Sequence, residues 1–505
     1  MDTEQLYTLF NTPARIKALQ HFISDKKKGT LHINGLQGSA AALLFSSLLS
    51  SNRHFILVAN DLEEAGYLYH DLVQIKGETS ILFFPSGYKR AIKYGQSDSA
   101  NEILRTEALN RLQEKNKALI IVTYPEALAE KVVKADLLNQ KTLRLKKNEY
   151  IESTVVADTL FEYGFERVDY VYEPGQYAVR GSILDVYSFS NELPYRIDFF
   201  GDEIESIRTF DIETQLSNEQ LDNISIIPNM SENGIFGESL PEFIDESVIW
   251  AFHDFTFSVN KIEAITNGAI SPQLLIAEEG DINAIKKIIN PVKFKKKILE
   301  FKRIEFGSRT QTTYSAILHI ECQPQPIYHK NFNLVSDSFK NLIAEGYSLY
   351  ILSDSEKQIE RLQNIFKDRK DNIKFTPILK TLHEGFIDKE QKICFFTDHQ
   401  LFDRFHKYNL KSEKARSGKL ALTLKELNQF ETGDYIVHVD HGVGKFGGLI
   451  HTEINGKMQE VIKLIYQNDD ILFVSIHALH KLAKYRGKKV NHRASTNWEP
   501  VLGNA

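Results

Sequence analysis

Four short apolar stretches in the first third of the chain constrain its fold more than any other feature. They are Thr30–Asn34 and residues 55–59, 81–84 and 118–122. Runs of four or five apolar residues suit strands covered on both faces. Helical patterns at 40–49, 61–74 and 99–114 lie between them. Strands alternating with helices at this spacing predict a parallel sheet with crossover helices.

The period then changes. Residues 177–187 and 195–200 are rich in aromatic and β-branched residues and are separated by Gly and Pro, as in a small α+β unit. Apolar stretches at 349–352 and 392–396 bracket a helical pattern at 356–368, which predicts a second small α/β unit. Residues 411–419 (KSEKARSGK) have the composition of a linker. Residues 428–486 alternate strands with turns at Gly433-Asp434, Gly447-Gly448, Asn455-Gly456 and Asn468-Asp469-Asp470. Asn-Gly between alternating strands is a hairpin signal, so a small β-barrel or curled sheet is expected. The polar end, 488–505, shows no domain of its own.

Several classes are excluded by composition. At 505 residues, with 42% hydrophobic and 25% charged residues, the chain fits neither a disordered nor a collagen-like class. Lys+Arg 61 against Asp+Glu 67 gives a net charge of -6, unlike a chain that coats nucleic acid by bulk charge. Cys322 and Cys394 are the only cysteines, so a disulfide framework or a structural zinc is not expected and a reducing compartment fits. The acidic start lacks an apolar segment, and no run approaches the ~18 residues of a membrane span. A cytoplasmic multidomain protein is expected.

Four motifs bear on function. Gly35-Leu36-Gln37-Gly38-Ser39-Ala40-Ala41-Ala42 lies between a strand and a helix, where a phosphate loop reads G-x-x-x-x-G-K-[ST]. Ala40 stands for the second Gly, Ala41 for the Lys that reaches phosphate, and Ala42 for the Mg²⁺-binding hydroxyl. The position is right and the chemistry is missing. In the second motif, Arg180 precedes a strand, Arg196 alternates with Ile197, and Phe199-Phe200 puts one aromatic on each strand face. An exposed aromatic beside arginines suits a protein interface; the residues alone favour the alternative, a core aromatic flanked by solvated arginines. In the third, His438, Asp440 and His441 resemble metal ligands, but His441 begins a glycine turn and no Cys is near, so no metal is expected. The fourth, Lys286 to Arg303, holds eight Lys/Arg and one acid. Phe294, Ile298, Leu299 and Phe301 interleave there, as on an amphipathic helix with a solvated basic face, and DNA contact is the alternative.

The block Glu173 to Tyr187, with Pro194 to Arg208, resembles the segment shared by UvrB, a repair helicase, and the Mfd-type transcription-repair coupling factors. UvrB has a working phosphate loop and a tyrosine-rich hairpin. Here the loop is degenerate, and 85–100 holds only Tyr88 and Tyr94, which is the Mfd pattern. The resemblance implies a non-catalytic UvrB mimic that recruits UvrA through Arg180, Arg196 and Phe200. The block Gly433 to Gly448 is similar to the CarD-type RNA-polymerase-interacting domain, a Tudor-like β-barrel that docks a strand edge on the polymerase β subunit. Lys445, Phe446, Leu449, Ile450 and Thr452 are its implied contacts, with Thr452 standing where the family has a leucine.

The expected architecture is multidomain α/β. Residues 1–142 and 229–335 form a degenerate P-loop domain, and 143–228 an inserted UvrA-binding α+β domain. Residues 336–410 form a small α/β domain and 411–427 a linker. Residues 428–487 form the CarD-type β-barrel, and 488–505 begin a connector to a translocase. That translocase, which would use ATP and Mg²⁺, is outside this chain, so the sequence reads as an N-terminal piece with no cofactor of its own. Expected partners are UvrA, the polymerase β subunit and the transcription complex on damaged DNA, with weak or absent DNA binding and no membrane. Two other readings compete. A CarD-type regulator with an accessory α/β region leaves the first 400 or so residues unexplained. A helicase or nuclease needs a lysine at Ala41 or a carboxylate cluster.

Overall fold

The computed structural model describes residues 3–25, 27–87, 99–114, 117–212, 214–230, 236–269, 287–307, 313–406, 430–438, 441–454, 457–466, 470–475 and 482–484. The chain divides into two compact units, Met1–Glu413 and Lys414–Ala505.

The first unit is built on a seven-stranded sheet in the order Ala316–His319, Thr30–Asn34, Arg303–Glu305, Ile249–Phe252, Phe55–Val58, Ile120–Thr123, Ile81–Phe83. Every pairing in it is parallel, as the continuously apolar strands predict. Strands from both ends of the segment alternate within it: Ile249–Phe252 and Arg303–Glu305 enter between Thr30–Asn34 and Phe55–Val58. Everything between the two halves is therefore an insertion. The helix expected over 40–49 runs only through Ala40–Ser46 and tightens into a 3₁₀ turn over Ser47–Ser51. The reason is local: the hydroxyls of Ser46, Ser47, Ser50 and Ser51 each donate to the carbonyl three residues back.

The insertion starts and ends on one antiparallel pair, Leu143–Lys146 with Asn223–Ile226, which fixes its stem. Its six-stranded sheet has the order Ser217–Leu221, Glu203–Phe210, Tyr195–Phe200, Ile183–Val186, Gln176–Arg180, Glu166–Arg167. One face buries Leu184, Val186, Tyr195, Ile197, Phe199 and Ile207 against Val156 and Leu160 of the helix Ser153–Glu162. The stretch expected as one strand, 177–187, is two strands. Gly181, at φ +61°, turns the chain between them, so Arg180 both ends the first strand and precedes the second, Ile183–Val186.

The small α/β region has a mixed five-stranded sheet in the order Cys322–Pro324, Phe386–Asp388, Ile393–Thr397, Ser348–Leu352, Thr376–Ile378. The helices Phe332–Ala344 and Glu356–Asp368 supply Val335, Phe339, Ile359 and Leu362 to its core. It is tied to the N-terminal helix Pro13–Ser24 by Arg15, whose two amino groups reach Asp388 at 2.6 and 3.0 Å and Glu390 at 2.6 Å.

In the second unit, five antiparallel strands run Ile471–Ser475, Lys457–Ile465, Gly442–Ile454, Tyr435–His438, Leu482–Lys484. Among the described residues these form an open sheet, with no ladder joining the outer strands of the expected barrel or curled sheet. Gly447-Gly448 is not a turn either. It forms a bulge within one 13-residue strand, where the register slips between Phe446 and Leu449 and Gly448 takes φ +98°. Ile454 pairs with Lys457; the expected turn Asn455-Gly456, the 411–427 linker and the 488–505 tail lie outside the described residues. No helix among the described residues is long and apolar enough to cross a membrane.

Candidate partner-binding sites

At the degenerate loop, Gly35 and Gly38 have φ of +89° and +50°. A Cβ on Gly35 would lie 2.0 Å from the carbonyl oxygen of Ile320, so only glycine fits. Ala40 and Ala42 are buried and Ala41 is half-buried. The amide of Ser39 donates to the carbonyl of Glu384 at 3.1 Å, and the amide of Glu384 donates back to the Ser39 hydroxyl at 3.0 Å. The Ser39 hydroxyl in turn donates to the buried carboxylate of Asp71 at 2.5 Å, which also accepts from the His383 amide. A backbone segment of the small α/β region thus sits against an amide of the kind a phosphate loop directs at its ligand. Sequence reading missed this contact, because nothing local links residue 39 to 384.

On the other face of the inserted sheet, beside a small second cluster of Ala178, Tyr187 and Phe210, pairing brings Asp185 opposite Arg196, and Arg196 opposite Arg208. Asp185 is only 1% exposed, and both Arg180 and Arg196 close on it. Arg196 makes a bidentate pair at 2.8 and 2.9 Å; Arg180 bonds the same carboxylate and the Asp169 carbonyl. The bonds to Asp185 hold the Arg196 guanidinium more firmly protonated than usual. Arg208 pairs with Asp198, so each of the two facing arginines has its own carboxylate. Arg196 also stacks over Phe210 and Arg180 over Tyr170. The arginines are thus tied into the sheet, and the solvated alternative does not describe them. Phe199 is buried and Phe200 is 77% exposed, as alternation along the strand requires. The structure brings Arg180 and Arg196 together and places Phe200 further along the same strand face as Arg196. Asp185, which joins the arginines, went unnoticed in the sequence, although a carboxylate between Leu184 and Val186 is an odd residue for a strand interior.

In the second unit, Tyr435–His438 covers the long strand only over Gly442 to Lys445. Beyond the bulge, Leu449 to Ile454 pair on one side alone among the described residues. Lys445 is exposed, and Leu449 and Ile450 are half-buried. Phe446 is a correction: it is 5% exposed and packs with Ile436, Ile462 and Leu464, so its side chain belongs to the core. Thr452 pairs with Gln459, and its side chain lies outside the described residues. His438 is buried beside His441, and Asp440 lies outside the described residues, as do Tyr88 and Tyr94. No cluster able to hold a metal occurs among the described residues.

In the basic run the amphipathic helix covers only Pro291–Ile298. Phe294, Ile298 and Phe301 are buried as expected, whereas Leu299 is exposed. Lys302 is consumed internally, donating to the carbonyls of Phe22 and Asp25, and Arg303 lies over Phe255. Lys286 lies outside the described residues.

Residues 143–231 match the UvrB interaction domain, and residues 430–486 match the CarD-like/TRCF RID domain. The first match holds the paired arginines and the exposed phenylalanine, and the second the half-paired strand. Along most of its length the chain resembles the transcription-repair-coupling factors. The factor of Bacillus subtilis is 23% identical over 544 residues, covering 90% of this chain and 45% of the relative. That of Staphylococcus haemolyticus is 23% identical over 548 residues, with 92% and 46% covered. That of Staphylococcus aureus strain Mu50 is 22% identical over 552 residues, with the same shares. The chain therefore spans about half the length of the transcription-repair-coupling factors it matches.

Proposed function

We propose that this chain is an adaptor in transcription-coupled repair, which recruits UvrA through the inserted sheet and holds RNA polymerase through the second unit. The observation that carries the reading is the pairing of the two matched domains in one chain, each with a surface suited to protein contact. Phe200 stands exposed at the end of a strand whose neighbouring arginines are already oriented by Asp185. Such pre-ordered arginine and aromatic side chains lose little entropy on binding and are the usual energetic centres of interfaces. In the second unit, the stretch after the bulge, paired on one side among the described residues, offers backbone donors and acceptors for strand addition, the mode expected for the polymerase β subunit. Lys445, Leu449, Ile450 and Thr452 remain the proposed contacts, with Phe446 supporting them from below.

This part of the chain acts without nucleotide chemistry. Ala41 and Ala42 supply neither the phosphate-binding cation nor the Mg²⁺ ligand, and no DNA contact is assigned to the basic run. Separate pull-downs with UvrA and with the polymerase β subunit test the adaptor. Capture of both supports it. Capture of polymerase alone favours a CarD-type regulator, and ATP turnover that vanishes on altering the Gly35 loop would overturn the non-catalytic reading.

A further inference from the structure

The aromatic end of the inserted sheet is wider than Phe200. Tyr195–Phe200 and Glu203–Phe210 join through the two-residue turn Gly201-Asp202, with Gly201 at φ +62°. Phe200 and Glu203 are directly opposed across this hairpin. On the other side of Glu203 the segment 148–151 runs antiparallel. The Asn148 amide donates to the Ile204 carbonyl at 2.8 Å, the Ile204 amide to the Glu149 carbonyl at 2.9 Å, and the Ile151 amide to the Asp202 carbonyl at 2.7 Å. Tyr150 is the residue bridged to Glu203. Residues directly opposed in a sheet carry their side chains on the same face. Phe200, Glu203 and Tyr150 therefore form one row across three strands, with the two rings about 10 Å apart by strand spacing.

Tyr150 is 78% exposed, matching the 77% of Phe200. The Glu203 carboxylate beside its hydroxyl raises the pKa of the phenol, and the backbone bridge to Glu203 fixes the position of residue 150 in the row without covering its ring. Nothing in the core of the insertion uses this side chain. A large aromatic at such exposure on a paired backbone has the properties of an interface anchor: a rigid amphipathic surface with few rotatable bonds to freeze.

We infer that Tyr150 is a second aromatic anchor of the partner surface, contacting the same protein as Phe200. The inference rests on the proposed recruitment of UvrA. It adds that the surface extends from the Arg180–Asp185–Arg196 cluster past Phe200 to the start of the helix Ser153–Glu162. The partner face that fits this row presents an apolar or cationic patch to two rings, with a donor near Glu203 between them.

The test is titration of the 505-residue chain with purified UvrA, comparing Tyr150→Ala, Tyr150→Phe and Phe200→Ala, with a melting curve for each. Tyr150→Ala is expected to weaken binding by about tenfold or more, near 1.4 kcal/mol, with an unchanged melting temperature. Tyr150→Phe keeps the ring and should stay within about threefold of the parent chain. If Phe200→Ala weakens binding while Tyr150→Ala stays within twofold, the second anchor is refuted and the UvrA reading survives. If the parent chain does not bind UvrA, both fall. A loss in Tyr150→Ala accompanied by a lowered melting temperature and an equal loss in Tyr150→Phe would assign Tyr150 a structural role and overturn the inference.

Discussion

At the scale of single residues, burial reverses the ranking that residue type alone suggests. Arginines on a strand face are expected to be cheap to remove, and a phenylalanine expensive. Here Arg196 is 13% exposed and closes on a carboxylate that is 1% exposed, whereas Phe200 is nearly bare. Removing Arg196 takes two hydrogen bonds from the buried carboxylate of Asp185 and leaves it to Arg180 alone. Arg196→Ala should therefore lower the unfolding free energy by about 1–3 kcal/mol in urea titrations of the first unit, while Phe200→Ala should change it by less than about 0.5 kcal/mol. Loss of UvrA binding in Phe200→Ala is then a direct reading of the surface; loss in Arg196→Ala is not, because Arg180 is disturbed with it. The alternation that exposes Phe200 was legible in the sequence. The clamp was not, since Asp185 meets Arg196 only through the register of two strands.

At the scale of elements, legibility follows how local the determining forces are. The parallel strands and their helices were readable because continuous apolar runs admit few alternatives. The bulge at Gly447-Gly448 was not, since two glycines between alternating strands serve a hairpin or a bulge equally well and only the partner strand decides. The bulge has a measurable signature: Gly448→Ala forces a side chain into φ +98°. That should destabilise the second unit by about 1–3 kcal/mol in denaturant unfolding. The bulge also ends the cover given by Tyr435–His438, so weaker capture of the polymerase β subunit is expected in the same variant. Removing residues 430–486 should abolish that capture and leave UvrA binding within twofold, because the insertion keeps its own core and stem. Joint loss of both would contradict the division of labour.

At the scale of the whole molecule, polar contacts join regions of the first unit far apart in sequence, over an apolar core that they share. His70, in the helix Leu62–Lys76, meets His406, and His406 stacks on His399 with ring centroids 4.4 Å apart. Burial pushes His383 and His406 down to about 4, and lowers His399 as well. Asp71, Asp354 and Asp398 oppose the shift, while Arg404 and the neighbouring imidazoles add to it. The unfolded chain takes up these protons first, near 6.5, so the stability contributed by the neutral cluster is complete above that pH. It declines as the pH falls towards about 4. The urea midpoint of the first unit should accordingly drop between pH 7 and pH 5, and His406→Gln should flatten the slope. The contact between Ser39 and Glu384 belongs to the same seam, and it has a kinetic meaning. A ligand approaching the Gly35 loop from solution competes with an occupant on the same chain, whose effective concentration, on the millimolar scale or above for tethered groups, never dilutes. The loop is thus not an empty seat left by lost side chains: any free phosphate compound would have to outbid a resident that is always present.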